Sequence, residues 1–403
     1  MDAVGIERPR PSGRATNDTS AQQTVLRAAD PETSSTAPVL SAGALLAAAL
    51  ALPGIVPAAY AQTAPDQSIA SLRYFDYRDW QPGADRMRVR SPMLYLLKPL
   101  SDSLSVEGSV VYDAMSGASP LYFNTLSGAS GLGITDYRTA GDAKVTKYFD
   151  RYAIGVGGAY SHERDYISRS FNADLRTWTD DKNRTYAFGI AGTRDDINST
   201  NGVAQGQHRE VYDFLFGVTQ ALSPLAIVES NLTVSDGRGY YSDPYKLLDQ
   251  RPHTRTSVAW LTRYNRQITT LDATLKVAYR YIYDQWGVNA HMGEVAWVQA
   301  LPHAFTVTPL VRYYTQDNAY FYYGPPVGHG FHLGQPISSD NRLAAYGAFT
   351  LGLDLAKRFD DGWSADIAAN MYRQKNAWRP GGGTDGILDF SARWFEVGIS
   401  KTF

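Results

Sequence analysis

The chain has 403 residues, a formal charge of −2 and a pI near 6.4, so no basic field points to nucleic acid. Cysteine is absent, which excludes a disulfide framework, thiolate zinc sites, iron–sulfur clusters and c-type haem attachment. No cofactor is expected. Charged residues make up only 19%, whereas Tyr contributes 27 and Gly 35. The mean hydropathy of −0.31 suits a wall with one apolar and one polar face as well as a soluble domain.

In chain order, about thirty-six polar residues precede one apolar run, Ala37 to Ala61. Its core, Val39 to Val56, is rich in Ala and Leu, and Pro53 and Pro57 interrupt it near the end. Ala59-Tyr60-Ala61 supplies the small-x-small pattern of a signal-peptidase site, with Gln62 as the new N-terminus. A single membrane anchor is the alternative, and the prolines and small residues favour a cleaved segment. The nearest positive charge, Arg27, lies ten positions upstream, which makes a long leading region; a start codon set too early would account for it. The expected division is 1–61 as N-terminal extension and signal peptide and 62–403 as a β-barrel. After Ala61 no apolar stretch approaches the ~20 residues of a spanning helix.

From Ser71 onward the apolar residues recur at every second position, the strand period. Tyr212, Phe214, Phe216 and Val218 fall on one face of their segment, and Asp213, Gly217 and Thr219 on the other. Leu271 to Tyr283 and Leu343 to Leu355 follow the same rule. The pattern predicts sixteen strands, near 70–79, 86–97, 103–114, 136–150, 152–164, 166–178, 184–195, 209–220, 225–236, 255–268, 271–284, 287–301, 304–319, 341–358, 363–375 and 391–403. Links after even-numbered strands are tight, as at Pro99–Asp102, Asp181–Asn183, Ser223-Pro224, Pro302-His303 and Asp360–Gly362. Several links after odd-numbered strands are long: 115–135, 196–208, 237–254, 320–340 and 376–390. Strands beyond ten residues with short turns at one end and long loops at the other predict an all-β, up-and-down antiparallel transmembrane barrel in the outer membrane, turns periplasmic and loops extracellular. Tyr and Trp near strand ends, such as Tyr74, Trp80, Tyr95 and Trp297, would form interfacial girdles, although Tyr favours any strand.

The final strand places Phe395, Val397, Ile399 and Phe403 on one parity and ends on an aromatic residue. This resembles the signal read by the barrel assembly machinery, with Lys401 departing from it at a position where its ammonium could snorkel. Outer-membrane lipid and that machinery are the partners expected.

On the inner face, pairing about the Pro99–Asp102 turn sets Arg88 opposite Asp113, with Arg86 and Arg90 beside them. Pairing about Pro302 sets Glu294 opposite Arg312, with Lys276 next to it. Asp142 and Lys144 face Gly155, Gly157 and Ala159, which leaves room in the lumen. Such charges can form a selective constriction or a structural network that rigidifies a filled interior. The loop from Gly237 to Pro252 is unusually apolar for a surface segment, with Tyr240, Tyr241, Tyr245, Leu247 and Leu248. It also carries Arg238, Asp243, Lys246, Asp249 and Arg251, and it is expected to be ordered, to fold inward and to make specific contacts. Catalytic motifs are sparse. His162-Glu163-Arg164-Asp165 could serve acid–base or hydrolase chemistry, or simply form a charged loop tip. His329 and His332 stand in a Gly-rich loop and could bind a metal or be solvated, and Gly237-Arg238-Gly239 lacks the Lys-Ser/Thr of a phosphate loop.

Several segments together resemble one family. They include Ser116-Gly117-Ala118-Ser119-Pro120, Tyr160 to Tyr166, Gly217-Val218-Thr219-Gln220 and Gly237 to Lys246. Tyr279-Arg280-Tyr281, Trp297-Val298-Gln299, Arg312 to Gln316 and Arg342 to Gly347 belong to the same set. The chain is similar, from about Ser71 to Phe403, to the bacterial outer-membrane proteins of domain of unknown function 3570. That resemblance implies an outer-membrane barrel and no particular substrate. Genes of the family lie beside those for a small lipoprotein and a flavin-transferring maturation enzyme, which implies a small lipoprotein partner and a redox or metal-handling system. Three functions follow as expectations: a non-enzymatic port for small solutes, a scaffold for such a partner, or a hydrolase using His162 and Asp165.

Overall fold

The computed structural model describes residues 62–117, 134–246, 249–324 and 334–403. The apolar run, its cleavage site, His329 and His332, and Leu247 and Leu248 lie outside the described residues.

Alternation along the chain produces extended strands because each residue pair then buries one side chain and exposes the next. The first eight are β1 (Ile69–Gln81), β2 (Ala84–Ser101), β3 (Leu104–Gly117), β4 (Ile134–Tyr148), β5 (Tyr152–His162), β6 (Tyr166–Trp178), β7 (Arg184–Ile197) and β8 (Gln207–Ser223). Then come β9 (Ala226–Gly239), β10 (Asp249–Gln250), β11 (Thr254–Ile268), β12 (Ala273–Asp284), β13 (Asn289–Leu301) and β14 (Phe305–Gln316). The last are β15 (Ile337–Ser338), β16 (Tyr346–Arg358), β17 (Trp363–Lys375) and β18 (Phe390–Thr402). Sixteen of them form one closed antiparallel barrel in sequence order, and β10 and β15 pair separately as a two-stranded sheet. Each of the sixteen expected spans overlaps one barrel strand.

The wall closes where β1 meets β18, in register from Ile69↔Thr402 to Trp80↔Ser391. The terminal residue completes this seam: Phe403 N–H donates to Ser68 O at 3.0 Å and Ser68 N–H to Phe403 O at 2.8 Å. Closure leaves no strand edge, the condition for a sheet to survive where water cannot satisfy backbone groups.

The two faces differ as the parity predicts. Outward positions carry Leu72, Leu94, Leu96, Val110, Phe188, Phe214, Val311, Leu351, Leu353, Ile367, Val397 and Ile399, all exposed. Inward positions carry Ser71, Arg73, Glu107, Lys144, Arg176, Thr274, Lys276, Glu294 and Glu396, all buried. A soluble protein would have the reverse arrangement.

Two local boundaries depart from expectation. The β2–β3 turn is Asp102-Ser103, because β2 runs past Pro99 through a register shift between Pro99 and Ser101. A missing N–H interrupts the ladder at Pro99 without ending the strand, and pairing resumes at Ser101↔Leu104. Leu343 is not an outward strand residue: Asn341–Leu343 forms a 3-10 turn capped by Asp340, whose side chain accepts from Arg342 N–H, and β16 begins at Tyr346.

Candidate functional site at the lumen and its mouth

The inner wall is charged in both signs, and several of these charges pair with a partner one or two strands away. Glu294 and Arg312 are directly opposite on β13 and β14, with Arg312 Nε donating to Glu294 at 2.5 Å. Lys276, buried on β12, lies two positions along the same ladder, where Val277↔Val295 separates Lys276↔Ala296 from Ala278↔Glu294. Arg73 grips Asp366 with two bonds of 2.6 and 3.2 Å across β18. Gly398 lies between them, and a Cβ there would meet both Arg73 and Asp366 at 2.6 Å. Gly155 makes room in the same way for the ion pair of Lys144 and Asp174.

Asp113 also faces inward, with Arg138 Nε donating to it at 2.5 Å and Ser91 hydrogen-bonded to it. Arg88 does not. The register puts Arg88 opposite Ser116, three positions from the expected partner, because the turn lies further along the chain. A bulge opposite Asp79 turns Arg86 inward, whereas Arg88 and Arg90 share the outward parity of Leu94 and Leu96. Inward positions of β2 carry Met93, Tyr95 and Leu97 instead, so the rule that polar residues face the lumen fails on this strand.

At the end of the barrel with the longer connections, two segments fold together. The β9–β11 connection supplies β10, the β14–β16 connection supplies β15, and their pairing joins Asp249 to Ser338 and Gln250 to Ile337. Above that sheet, the Asp340 carboxylate is fully buried and receives Lys246 Nζ at 2.6 Å, Arg251 at 2.8 Å and Arg342 Nε at 2.8 Å. Asp249 holds Arg251 from the other side at 2.7 Å, and Asp243 lies 3.6–3.7 Å from Arg342 and Lys246. Three cations and three carboxylates thus neutralise one another, with Asp340, Asp249, Lys246 and Arg251 largely buried and Asp243 and Arg342 half-buried. Burial opposes ionisation of Asp340, yet Arg342, Lys246 and Arg251 together hold its carboxyl well below the usual range. Burial lowers the Lys246 ammonium, with Asp340 opposing the shift.

Aromatic packing supports this knot. Trp286, Val288, Ala319, Phe321 and Leu343 form a buried cluster with Tyr241 and Tyr322 against it. Trp286 meets Tyr241 and Phe321 edge-on at 5.4 and 5.3 Å, and Arg255 stacks over its ring at 4.5 Å while paired with Asp284. The β9–β11 connection also reaches the opposite way: Tyr245 donates its hydroxyl to Asp165, and Asn201 donates to Pro244 O at 2.8 Å. One segment therefore ties the β5–β6 and β7–β8 connections to the β14–β16 connection across the mouth. Of the residues singled out by sequence, Tyr241, Asp243, Tyr245, Lys246, Asp249 and Arg251 are in this assembly. Tyr240 packs on Tyr166, Ile197 and Ala204, and Arg238 is solvated, 3.7 Å from Asp236. Asp340, Arg342 and Trp286 were not foreseen; their partners lie on other connections, and no local spacing encodes such contacts.

His162 and Asp165 do not form a dyad. His162 is exposed on the outward parity of β5, and Asp165 is engaged by Tyr245. Instead Asp136, Glu163 and Asp165 bring carboxylate oxygens within 4.8 Å of one another. Burial raises Glu163 to about 7, only partly offset by Arg138, with Asp136 and Asp165 adding to the rise.

Among solved structures the chain is similar to a bacterial polysaccharide outer membrane secretin, with 10% identity, 83% of this chain and 98% of that one covered, and a TM-score of 0.47. It is similar to a Pseudomonas aeruginosa FadL homologue (12% identity, 83% and 90% covered, TM-score 0.41) and to Pseudomonas aeruginosa OccK8 (OprE) (8% identity, 85% and 100% covered, TM-score 0.44). At these values the likeness carries nothing about cargo. No curated protein matches the chain. The family comparison is decisive: the model described as "Protein of unknown function (DUF3570)" matches residues 42–208 and 200–394, and the chain belongs to that family.

Proposed function

We propose that the chain is exported with removal of residues 1–61, and that its barrel spans the bacterial outer membrane as a port for small polar solutes. The observation that carries this reading is the segregation of faces: a closed wall with apolar residues outside and paired charges of both signs inside. Apolar residues exposed around a closed wall cost stability in water and none in lipid. Barrel strands of 11–18 residues meet or exceed the ~9–11 that a tilted membrane strand needs, and the longer ones leave a collar above the lipid for the long connections. Sixteen strands are wide enough for an aqueous lumen. The Asp340 knot narrows the mouth on one side, and the tight turns face the periplasm.

Purified mature protein in planar bilayers tests the port. Conductance is expected, with an increase when residues 240–246 are replaced by a Gly/Ser linker. The double variant Lys276→Glu, Arg312→Glu should move the reversal potential toward cations in a salt gradient. A correctly folded barrel that conducts in neither form would overturn the port. Outward-facing Phe395, Val397, Ile399 and Phe403 act in assembly: deleting Phe403 should lower the amount of barrel in the membrane without changing the conductance of what assembles.

A further inference from the structure

Where β18, β1 and β2 meet, the outer surface carries a row of like charges. Arg393 is directly opposite Arg78, and Arg78 is directly opposite Arg88. In the next row towards the apolar band, Arg90 is opposite Asp76, and Asp76 is opposite Phe395. All four arginines share the outward parity of Leu72, Leu94 and Val397, and Arg78 and Arg90 are 45% and 50% exposed. Like charges set opposite each other in a sheet destabilise it, so such a row calls for a counter-charge.

The described residues supply too little of it. Arg78, Arg88 and Arg90 all converge on the Asp76 carboxylate, at 3.4, 2.5 and 3.6 Å. Arg393 lies over the Trp80 ring at 5.9 Å. Four cations against one carboxylate leave +3, and counting exposed Asp85 of the row beyond leaves +2. Rows further down are apolar: Tyr74 with Val397 and Pro92, then Leu72 with Ile399 and Leu94. A cationic row directly above an exposed apolar band matches an amphiphile with an anionic headgroup. Arginine forks suit phosphate, which accepts two parallel N–H bonds. The row spans two strand spacings, roughly 10 Å, wider than a single phosphate.

We propose that Arg78, Arg88, Arg90 and Arg393 bind a membrane lipid whose headgroup carries two phosphates, its acyl chains lying on the band of Leu72, Tyr74, Leu94 and Val397. The site rests on the reading of the barrel as membrane-spanning. It lies towards the end with the longer connections and outside the lumen, so it is separate from any port.

Native mass spectrometry of the purified barrel in detergent, with bisphosphorylated lipid A as the probe, tests the site. The wild type should retain this lipid at least tenfold better than Arg78→Ser, Arg88→Ser, Arg393→Ser, and better than it retains phosphatidylcholine. Altered mobility between unboiled and boiled gels controls for folding, and if the triple variant fails to assemble, Arg78→Ser alone should lose several-fold. Inorganic phosphate at millimolar concentration should compete only partially. Equal retention by wild type and variants, or complete displacement by inorganic phosphate, overturns the lipid site while leaving the membrane barrel standing. A protein that never becomes heat-modifiable overturns both.

Discussion

Two clusters in this barrel are both built from cations and carboxylates and have opposite characters. At the mouth, Lys246, Arg251 and Arg342 face Asp243, Asp249 and Asp340, and the largely buried set is neutral. On the outer wall, four arginines face a single Asp76 and remain accessible. Ions removed from water must be balanced internally, because an unpaired buried charge costs several kcal/mol. Ions left at the surface can take their balance from outside. The first cluster is therefore a fastening between connections, and the second is a surface awaiting an anion.

Substitution at the centre of the knot should have the largest effect. Asp340→Asn removes the partner shared by buried Lys246 and Arg251 and half-buried Arg342, and should lower the opening free energy of the two connections by about 3–5 kcal/mol. Hydrogen exchange at the backbone of β10 and β15 would report this while the barrel itself stays resistant to detergent. An unchanged exchange rate would mean that the aromatic cluster alone holds the mouth.

On the outer wall the sign should reverse. In phosphate-free detergent, Arg78→Ser removes like-charge neighbours and should leave the barrel unchanged or more stable by up to about 1 kcal/mol. A marked loss of thermal stability in that variant would show that the row is balanced internally after all.

The clusters should also separate by pH. Asp340 has a lowered folded pKa, so its contribution is present above the unfolded value of about 3.9 and is lost as pH falls through the lower folded value. The nearby Glu163 behaves oppositely. Its folded pKa of about 7 is raised, so the favourable state is the protonated one, present below its unfolded value and lost as pH rises through 7. Protease sensitivity at the β5–β6 connection should rise between pH 6 and 8 (roughly the window around that value), and Glu163→Gln should abolish the change. The smallest effect is expected for Arg151→Ala: its 2.8 Å pair with Asp180 is solvated on both sides, and no measurable change in thermal stability should follow.

Much of the wall was legible because alternation is local. Phe214 or Leu353 is set on its face by its immediate neighbours, and the order of sixteen antiparallel strands follows from adjacency along the chain. The Glu294–Arg312 pair was legible for the same reason: Pro302 to Ala304 form a tight turn whose position fixes the register. Arg88 shows where that logic stops. The β2–β3 turn, lying further along the chain, moved its partner from Asp113 to Ser116, and Arg88 keeps the outward parity of Leu94 and Leu96.

Sequence by itself thus determined the strand count, the direction of most side chains and the aromatic terminus, since these depend on period-two geometry and chain order. Tertiary structure alone decided which connections meet over the mouth, that Asp340 gathers cations from two of them, and that three arginines from three strands stand in one outward row. Those arrangements join residues far apart in the chain, and their energies come from burial and charge balance that exist only once the barrel has closed.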